Sequence, residues 1–138
     1  MAAGESEWQS SCLRNAKPPP AARGIDPVDA AMFEPLFQPL TINGLRLPNR
    51  FVLPAMQRGW CEGGIPDPAL ADYYLARLRG GAGLIVTEAL AIDHPSATGQ
   101  KAAAQLAPHS LDAWKRIVGS VKDAGGAMFM QLFHEGAL

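Results

Sequence analysis

Residues 80–89 read GGAGLIVTEA: a glycine-rich turn followed at once by an unbroken apolar run that ends on a carboxylate. The run GLIVTEA (83–89) has the length of a β-strand, and its hydrophobicity is continuous rather than alternating. That pattern belongs to a strand covered on both faces, as strands of a parallel sheet are.

The flanking segments supply the covers. Upstream, Asp67 is placed to cap a helix with Pro68 at its first position, and Leu70, Tyr74 and Leu78 share one face at intervals of four before Gly80 and Gly81 end it. Downstream, a second helix starts at Ser110 with Leu111, Trp114, Val118 and Val121 as its apolar stripe, ended by Gly125 and Gly126. A third strand, AMFMQL (127–132), follows directly, and FVLPA (51–55) is the strand before the first helix, with Pro54 confining it to a strand end or an edge. The order β-α-β-α-β predicts a parallel sheet with right-handed crossovers. Connections from helix to strand are short (80–83 and 125–126), whereas those from strand to helix are long (56–67 and 90–109). Long connections are usually functional, which puts the chemistry at the C-terminal ends of the strands, the active face of a (β/α)8 TIM barrel.

Ahead of the first strand, TINGLRL (41–47) carries Asn43-Gly44, a two-residue loop that tolerates positive φ twice, and so predicts a β-hairpin. Asp26 before Pro27 marks a short helix through VDAAMF, with order beginning near Ile25; residues 1–24 read as a disordered leader. Glu5 and Glu7 argue against a transit peptide there. With 48% hydrophobic residues in 138 the chain is globular in composition, and 12 basic against 13 acidic residues, without a basic run, disfavour nucleic acid. No stretch is long enough for a membrane span, and Cys12 and Cys61 are too few for a disulfide framework or a zinc site; the expectation is two free thiols in a cytoplasmic protein.

GGAG precedes its strand, whereas a dinucleotide fingerprint follows one, and Walker, HExxH and GxSxG motifs are missing. His94, His109 and His134 lie on separate segments without metal-site spacing, so no metal is expected. Glu88 ends its strand and can act as a base, but the favoured role is structural, held by backbone amides of the neighbouring loop. Gln131, taken as ending a buried strand, offers donors and an acceptor that match a uracil-like edge. Left unpaired there it would cost about 1–3 kcal/mol, so ligand binding and internal pairing both stay open. His134 leans to a backbone bond beside a turn. Met56 and Trp60 either shape an apolar pocket or cover the rim.

Three segments in order, LFQPLTINGLRLPNRFVLPAM (36–56), YYLARLRGGAGLIVTEA (73–89) and QLFHEG (131–136), resemble the old yellow enzyme family of FMN-dependent NADH:flavin oxidoreductases and ene-reductases. The resemblance implies that Pro54, Ala55 and Met56 lie along the flavin and that Gln57 sits near its N5 and O4 edge. It also implies that Ala89 lies beside the ring, that Gln131 bonds the pyrimidine edge, and that Phe133 lines the substrate pocket. Three positions depart from the family pattern. Ala55 stands where a proline usually precedes the methionine, Gln57 replaces a threonine, cysteine or alanine, and Ala137 stands in place of an arginine.

A barrel of this kind takes about 250 residues and eight strands. The chain is therefore expected to be an incomplete barrel, residues 25–138 forming its first three βα units behind the hairpin, which by the same likeness plugs the barrel's N-terminal end. The family's carbonyl-polarising histidine pair, its proton-donating tyrosine and its phosphate loops are expected outside it. The implied activity is hydride transfer from NAD(P)H through FMN to a small-molecule α,β-unsaturated carbonyl compound. The isolated chain is expected neither to fold cooperatively nor to hold FMN, and its open sheet edges invite aggregation or pairing with another chain. The alternatives are a non-catalytic product that associates with a full-length barrel homologue, and another barrel enzyme with a phosphate-bearing ligand.

Overall fold

The computed structural model describes residues 27–136. The chain divides into two units between Met32 and Phe33, and the account below concerns the second. The expected leader, the Asp26 cap, Cys12 and Ala137 lie outside the described residues.

Helix α1 (Pro27–Phe37) runs past VDAAMF and through Pro35, and Leu36 O then accepts the Arg50 N–H at 2.8 Å. Strands β1 (Leu40–Ile42) and β2 (Leu45–Leu47) form the expected hairpin, Leu40 opposite Leu47, with φ of 44° at Asn43 and 85° at Gly44.

The parallel sheet follows. Strand β3 is only Val52–Leu53, β6 spans Leu84–Ile92 and β8 spans Met128–Phe133; β6 pairs in parallel with both of the others. Helix α2 (Ala69–Arg79) and helix α3 (Leu111–Asp123) are the crossovers. Among the described residues the sheet does not close into a barrel. Beneath α2 and α3, Leu70, Tyr74, Ile85, Leu90, Trp114, Ile117 and Val121 form the core.

The start of α2 agrees with its sequence signal. The regular helix begins at Ala69, but Pro68 already has helical angles (φ −53°, ψ −29°) and Asp67 Oδ1 accepts the Ala69 N–H at 2.7 Å, so Asp67 caps and Pro68 opens the helix. Leu70 and Tyr74 are buried and Leu78 is half-buried, as the spacing predicts.

Three expectations need correction. First, the long rim connections are not free of secondary structure: 56–67 holds a hairpin, β4 (Cys61–Glu62) and β5 (Ile65–Pro66), and 90–109 holds strand β7 (Ala104–Leu106). The first of these had a local signal, since Gly63 and Gly64 at φ of 57° and 80° supply the same kind of two-residue loop as Asn43-Gly44. Strand β7 exists because β6 offers it an edge, Leu90 opposite Ala104, which is a non-local cause. Second, the buried face of α3 is Ala113, Trp114, Ile117 and Val121; Leu111 is exposed and Val118 half-buried. The Ser110 hydroxyl and the Trp114 indole both donate to Gln105 O, at 2.7 and 3.0 Å, and this shared anchor turns the helix so that Ile117 points inward. Third, β8 is not a buried strand: Phe129, Gln131 and Leu132 are exposed, because its ladder pairing is to β6 alone.

The hairpin is tied to the sheet by Asn49, whose amide donates to Gly81 O at 2.9 Å and whose Oδ1 accepts the Phe51 N–H at 3.0 Å. Gly83 passes so close that an added Cβ would lie 2.5 Å from Asn49 Oδ1 and 2.9 Å from Asn49 O. Gly83→Ala is therefore expected to destabilise the fold by about 1–3 kcal/mol. Denaturant unfolding of a complete barrel carrying these residues, with and without the substitution, checks this, and an unchanged midpoint would refute the contact.

Candidate functional site

Four strand-end segments meet at the C-terminal side of the sheet, and a β-bulge sets their alignment. Val86 pairs with Phe129 and Ala89 with Gln131, so Thr87 and Glu88 of β6 together stand opposite Met130 of β8. Thr87 and Glu88 are both buried, and Thr87 Oγ1 accepts the Gln131 N–H at 3.2 Å in place of a ladder carbonyl. The bulge therefore turns Glu88 inward and leaves Ala89 directly across from Gln131.

Glu88 fastens the loop after β3. Its Oε2 accepts the Arg58 N–H at 2.7 Å and its Oε1 accepts the Cys61 thiol at 3.5 Å, while its own N–H donates to Tyr74 Oη at 3.0 Å. The carboxylate is thus held by a backbone amide of the neighbouring loop, the structural role favoured from sequence. Burial, together with the Glu88 charge, pushes the Cys61 thiol up to about 12, and burial likewise raises the Tyr74 phenol to about 12. Cys61 is a free, buried thiol.

The expected cofactor-facing residues are partly brought together. Gln57 Nε2 donates to Ala89 O at 3.1 Å, and Ala89 is the register partner of Gln131, so these three positions form one contiguous set across the loop after β3, β6 and β8. The Gln131 side chain is exposed, so water can satisfy it and the penalty argued for a buried amide does not apply. Phe133 lies opposite Ala91 at the end of β8, half-buried. Pro54 instead lines a groove on the outer edge of β3, while Ala55 is half-buried and Met56 exposed in the strand exit. Trp60 packs edge-on against Tyr73 of α2 at 5.8 Å, so it covers the rim.

The histidines serve the loops. His109 Nε2 meets Gly63 O at 3.1 Å, and His134 Nδ1 accepts the Gly136 N–H at 2.9 Å, a backbone bond beside a turn. His94 Nδ1 and His134 Nε2 both meet Ser96 Oγ, at 2.9 and 3.2 Å. Since His134 Nδ1 accepts, its Nε2 carries the proton and donates to the serine. No cluster of metal-ligating groups occurs among the described residues.

The sequence reading missed the clamp beside this pair. Glu135 accepts from Thr98 Oγ1 (2.8 Å), Gly99 N–H (3.0 Å) and Gln100 Nε2 (2.8 Å), and its own N–H donates to Ala97 O at 2.9 Å. The loop after β6 is thereby latched to the segment after β8. The donors, the Gly99 N–H first, hold the Glu135 carboxyl below its ordinary value. No periodicity marks these residues; only Thr98-Gly99, a common turn pair, hints at a loop able to wrap an anion.

A parallel α/β sheet with its polar groups gathered at the C-terminal strand ends is the arrangement of the α/β enzymes, which place their sites there. Comparison with known proteins makes this specific. Residues 35–138 match the family model of the NADH:flavin oxidoreductase / NADH oxidase family, and the chain belongs to that family. It is 37% identical over 102 residues to 12-oxophytodienoate reductase 7 of Oryza sativa subsp. japonica, covering 74% of this chain and 26% of that protein. It is 38% identical over 111 residues to an NADH oxidase of Thermoanaerobacter brockii, covering 75% of this chain and 16% of that protein. Among solved structures, the old yellow enzyme from Trypanosoma cruzi superposes with a TM-score of 0.67 at 30% identity, covering 76% of this chain and 28% of that one. Morphinone reductase in complex with tetrahydroNAD gives 0.65 at 32% identity, covering 73% and 27%. The chain thus spans between 16% and 28% of the length of these relatives. The family and its old yellow enzyme members use FMN and NAD(P)H.

Two outcomes are expected from this geometry. In a Cys12→Ser background, Cys61 is expected to react with a thiol reagent at pH 8 at least about a hundredfold more slowly in the folded chain than in denaturant. Equal rates would show that the thiol is not held as described. The Glu135 latch is expected to be complete above the ordinary carboxyl pKa of 4.5 and to open as pH falls through the lower folded value. The Gly99 amide NMR shift should therefore titrate with a midpoint below 4.5, and lose that transition in Glu135→Gln.

Proposed function

We propose that this chain supplies the flavin-facing first strands of an FMN-dependent NAD(P)H oxidoreductase of the ene-reductase type, whose substrates are small α,β-unsaturated carbonyl compounds. The observation that carries the reading is the contiguity of Gln57, Ala89 and Gln131 across three strand ends. FMN, when bound, supplies hydride transfer between the reduced nicotinamide and the β-carbon of the unsaturated carbonyl.

The chain's own residues bind and orient. Gln131 presents an exposed amide with donors and an acceptor, the set that the pyrimidine edge of a flavin requires. Ala89, opposite it, is small enough to leave room for a ring. Gln57 spends one amide N–H on Ala89 O, so a second N–H donor and the amide oxygen acceptor are left to it, where a threonine would offer a single hydroxyl. Phe133 shields the substrate side from water, and Pro54, Ala55 and Met56 bring the β3 exit alongside. Within the 138 residues this is a positioning surface without turnover of its own, in a cytoplasmic protein.

A second reading rests on a different observation. Strand β8 has only β6 as a ladder partner and exposes Phe129 and Leu132, so it can accept a strand from another polypeptide. On that reading the chain is a non-catalytic product that associates with a full-length barrel homologue through its open edge.

In a complete barrel carrying these residues, Gln131→Ala is expected to weaken FMN binding about tenfold, the loss of about 1–1.5 kcal/mol of hydrogen bonding. Flavin fluorescence titration measures it, and an unchanged affinity and flavin potential would remove the role given to Gln131. The 138-residue chain alone is expected to retain no FMN through gel filtration. Its co-purification with a barrel homologue, without added turnover, would favour the second reading.

A further inference from the structure

Met56, Gln57 and Arg58, in the loop after β3, are tied down residue by residue. Arg58 Nε donates back to Met56 O at 3.3 Å and to Gln57 O at 3.1 Å, the Arg58 main-chain N–H goes to Glu88 Oε2 at 2.7 Å, and Gln57 Nε2 goes to Ala89 O at 3.1 Å. Two consecutive loop residues are thus clasped by two consecutive residues of β6, with side chain and main chain exchanging roles. Gln57 gives its side chain to a β6 carbonyl, and Glu88 gives its side chain to a loop amide. The whole clasp lies between Met56 and Ala89.

The two contacts are unequal, and the inequality says which one governs. A glutamine amide stands at the end of three rotatable bonds, so it keeps one direction only where its own main chain is already placed. Gln57 is exposed, and its contact with Ala89 O competes with water. Glu88 is buried, its contact with the Arg58 N–H is the shorter one, and its own N–H is fixed on Tyr74 Oη at 3.0 Å. A carboxylate enclosed in this way has no water to turn to, so the loop must come to it. The place of residues 57 and 58 follows from Glu88, and the direction of the Gln57 amide follows from that place.

We propose that Glu88 is the positioning residue for Gln57: through the Arg58 N–H it fixes the main chain at 57 and 58, so that the Gln57 side chain reaches Ala89 O and holds its second N–H and its oxygen in one direction. This rests on the flavin reading above, in which that direction is toward the N5 and O4 edge; Glu88 then acts on the potential of the bound flavin through another residue. A free amide reorients to suit either oxidation state, whereas a fixed one favours one of them. The second oxygen of the carboxylate supplies the contrast. Oε1 takes the Cys61 thiol, three residues beyond Arg58, and losing that donor leaves the Arg58 contact in place.

NMR on a complete barrel carrying these residues, with its glutamines labelled and FMN left out, reads the positioning directly. The Gln57 side-chain amide, identified by its loss in Gln57→Ala, is expected to exchange with water at least about tenfold more slowly than a free glutamine amide. Glu88→Asp, one methylene short of the Arg58 N–H, should abolish that protection. Glu88→Gln keeps an acceptor for Arg58 and turns its NH2 to the Cys61 sulfur, so it should retain it. With FMN added, Glu88→Asp is expected to change the ratio of reduced to oxidised flavin affinity at least about fivefold, about 20 mV for a two-electron couple, and to have no such effect in a Gln57→Ala background. Cys61→Ala is expected to lower stability without moving the potential. The unsubstituted barrel gives a reading that needs no variant: the Arg58 main-chain amide should exchange at least about tenfold more slowly than that of Gly59. Equal rates at those two amides overturn the proposal, as does a Gln57 amide indifferent to Glu88→Asp. So does a potential shift of the same size with and without Gln57, or one that Cys61→Ala reproduces. A barrel that shows the amide changes but binds no FMN overturns the flavin reading and leaves the positioning standing.

Discussion

A carboxylate taken out of water must be met by donors, and the way Glu88 is met organises the functional end of this molecule. Its two oxygens take a backbone amide from the loop after β3 and a thiol from the β4–β5 hairpin, while its backbone bonds the phenol of α2. Removing one of these donors would leave a buried acceptor unpaired, at a cost of about 1–3 kcal/mol or more for a charged group. The loop exit, the rim hairpin, the crossover helix and the central strand are therefore fixed relative to one another by one side chain. The cysteine in this set acts as a donor, and burial first, then the Glu88 charge, holds its thiol protonated.

The bulge in β6 is the geometric counterpart of that interaction. A strict two-residue alternation would place Thr87 and Glu88 on opposite faces. With two residues against one, both are buried, and Thr87 takes over the hydrogen bond that the irregular ladder leaves open. Only then do Ala89 and Gln131 come into register, with Gln57 closing over them. The physical reason for the position of this set lies two residues upstream of Ala89, at Thr87.

What could be read from the sequence was what local chemistry determines. Asn43-Gly44 specified a hairpin, Asp67-Pro68 a helix start, and the run from Gly83 to Ala89 a doubly covered strand. Each depends on neighbours within a few residues. Strand β7 and the exposure of β8 depend on which edges of β6 are taken, and the face of α3 depends on a carbonyl at Gln105; none of these has a periodic signature. In the candidate site, Gln57, Ala89 and Gln131 were reached by resemblance, and the structure adds that they adjoin. Glu135 and Ser96 were missed because loop residues that bind other loop residues leave no pattern in a single sequence.

Strands β3 and β7 lie end to end along the same edge of β6, the first opposite Leu84 and Ile85, the second opposite Leu90 to Ile92. A hydrogen-bonding edge has finite length, so whatever the rim connection occupies the first strand cannot. Between them Val86 to Ala89 pair with neither strand, so β3 ends short of β7, where Pro54, which has no N–H to give a ladder, enters the chain. Strand and rim segment are then separate occupants of one edge, and a longer rim segment could take up the register positions between Ile85 and Leu90 before it met β3.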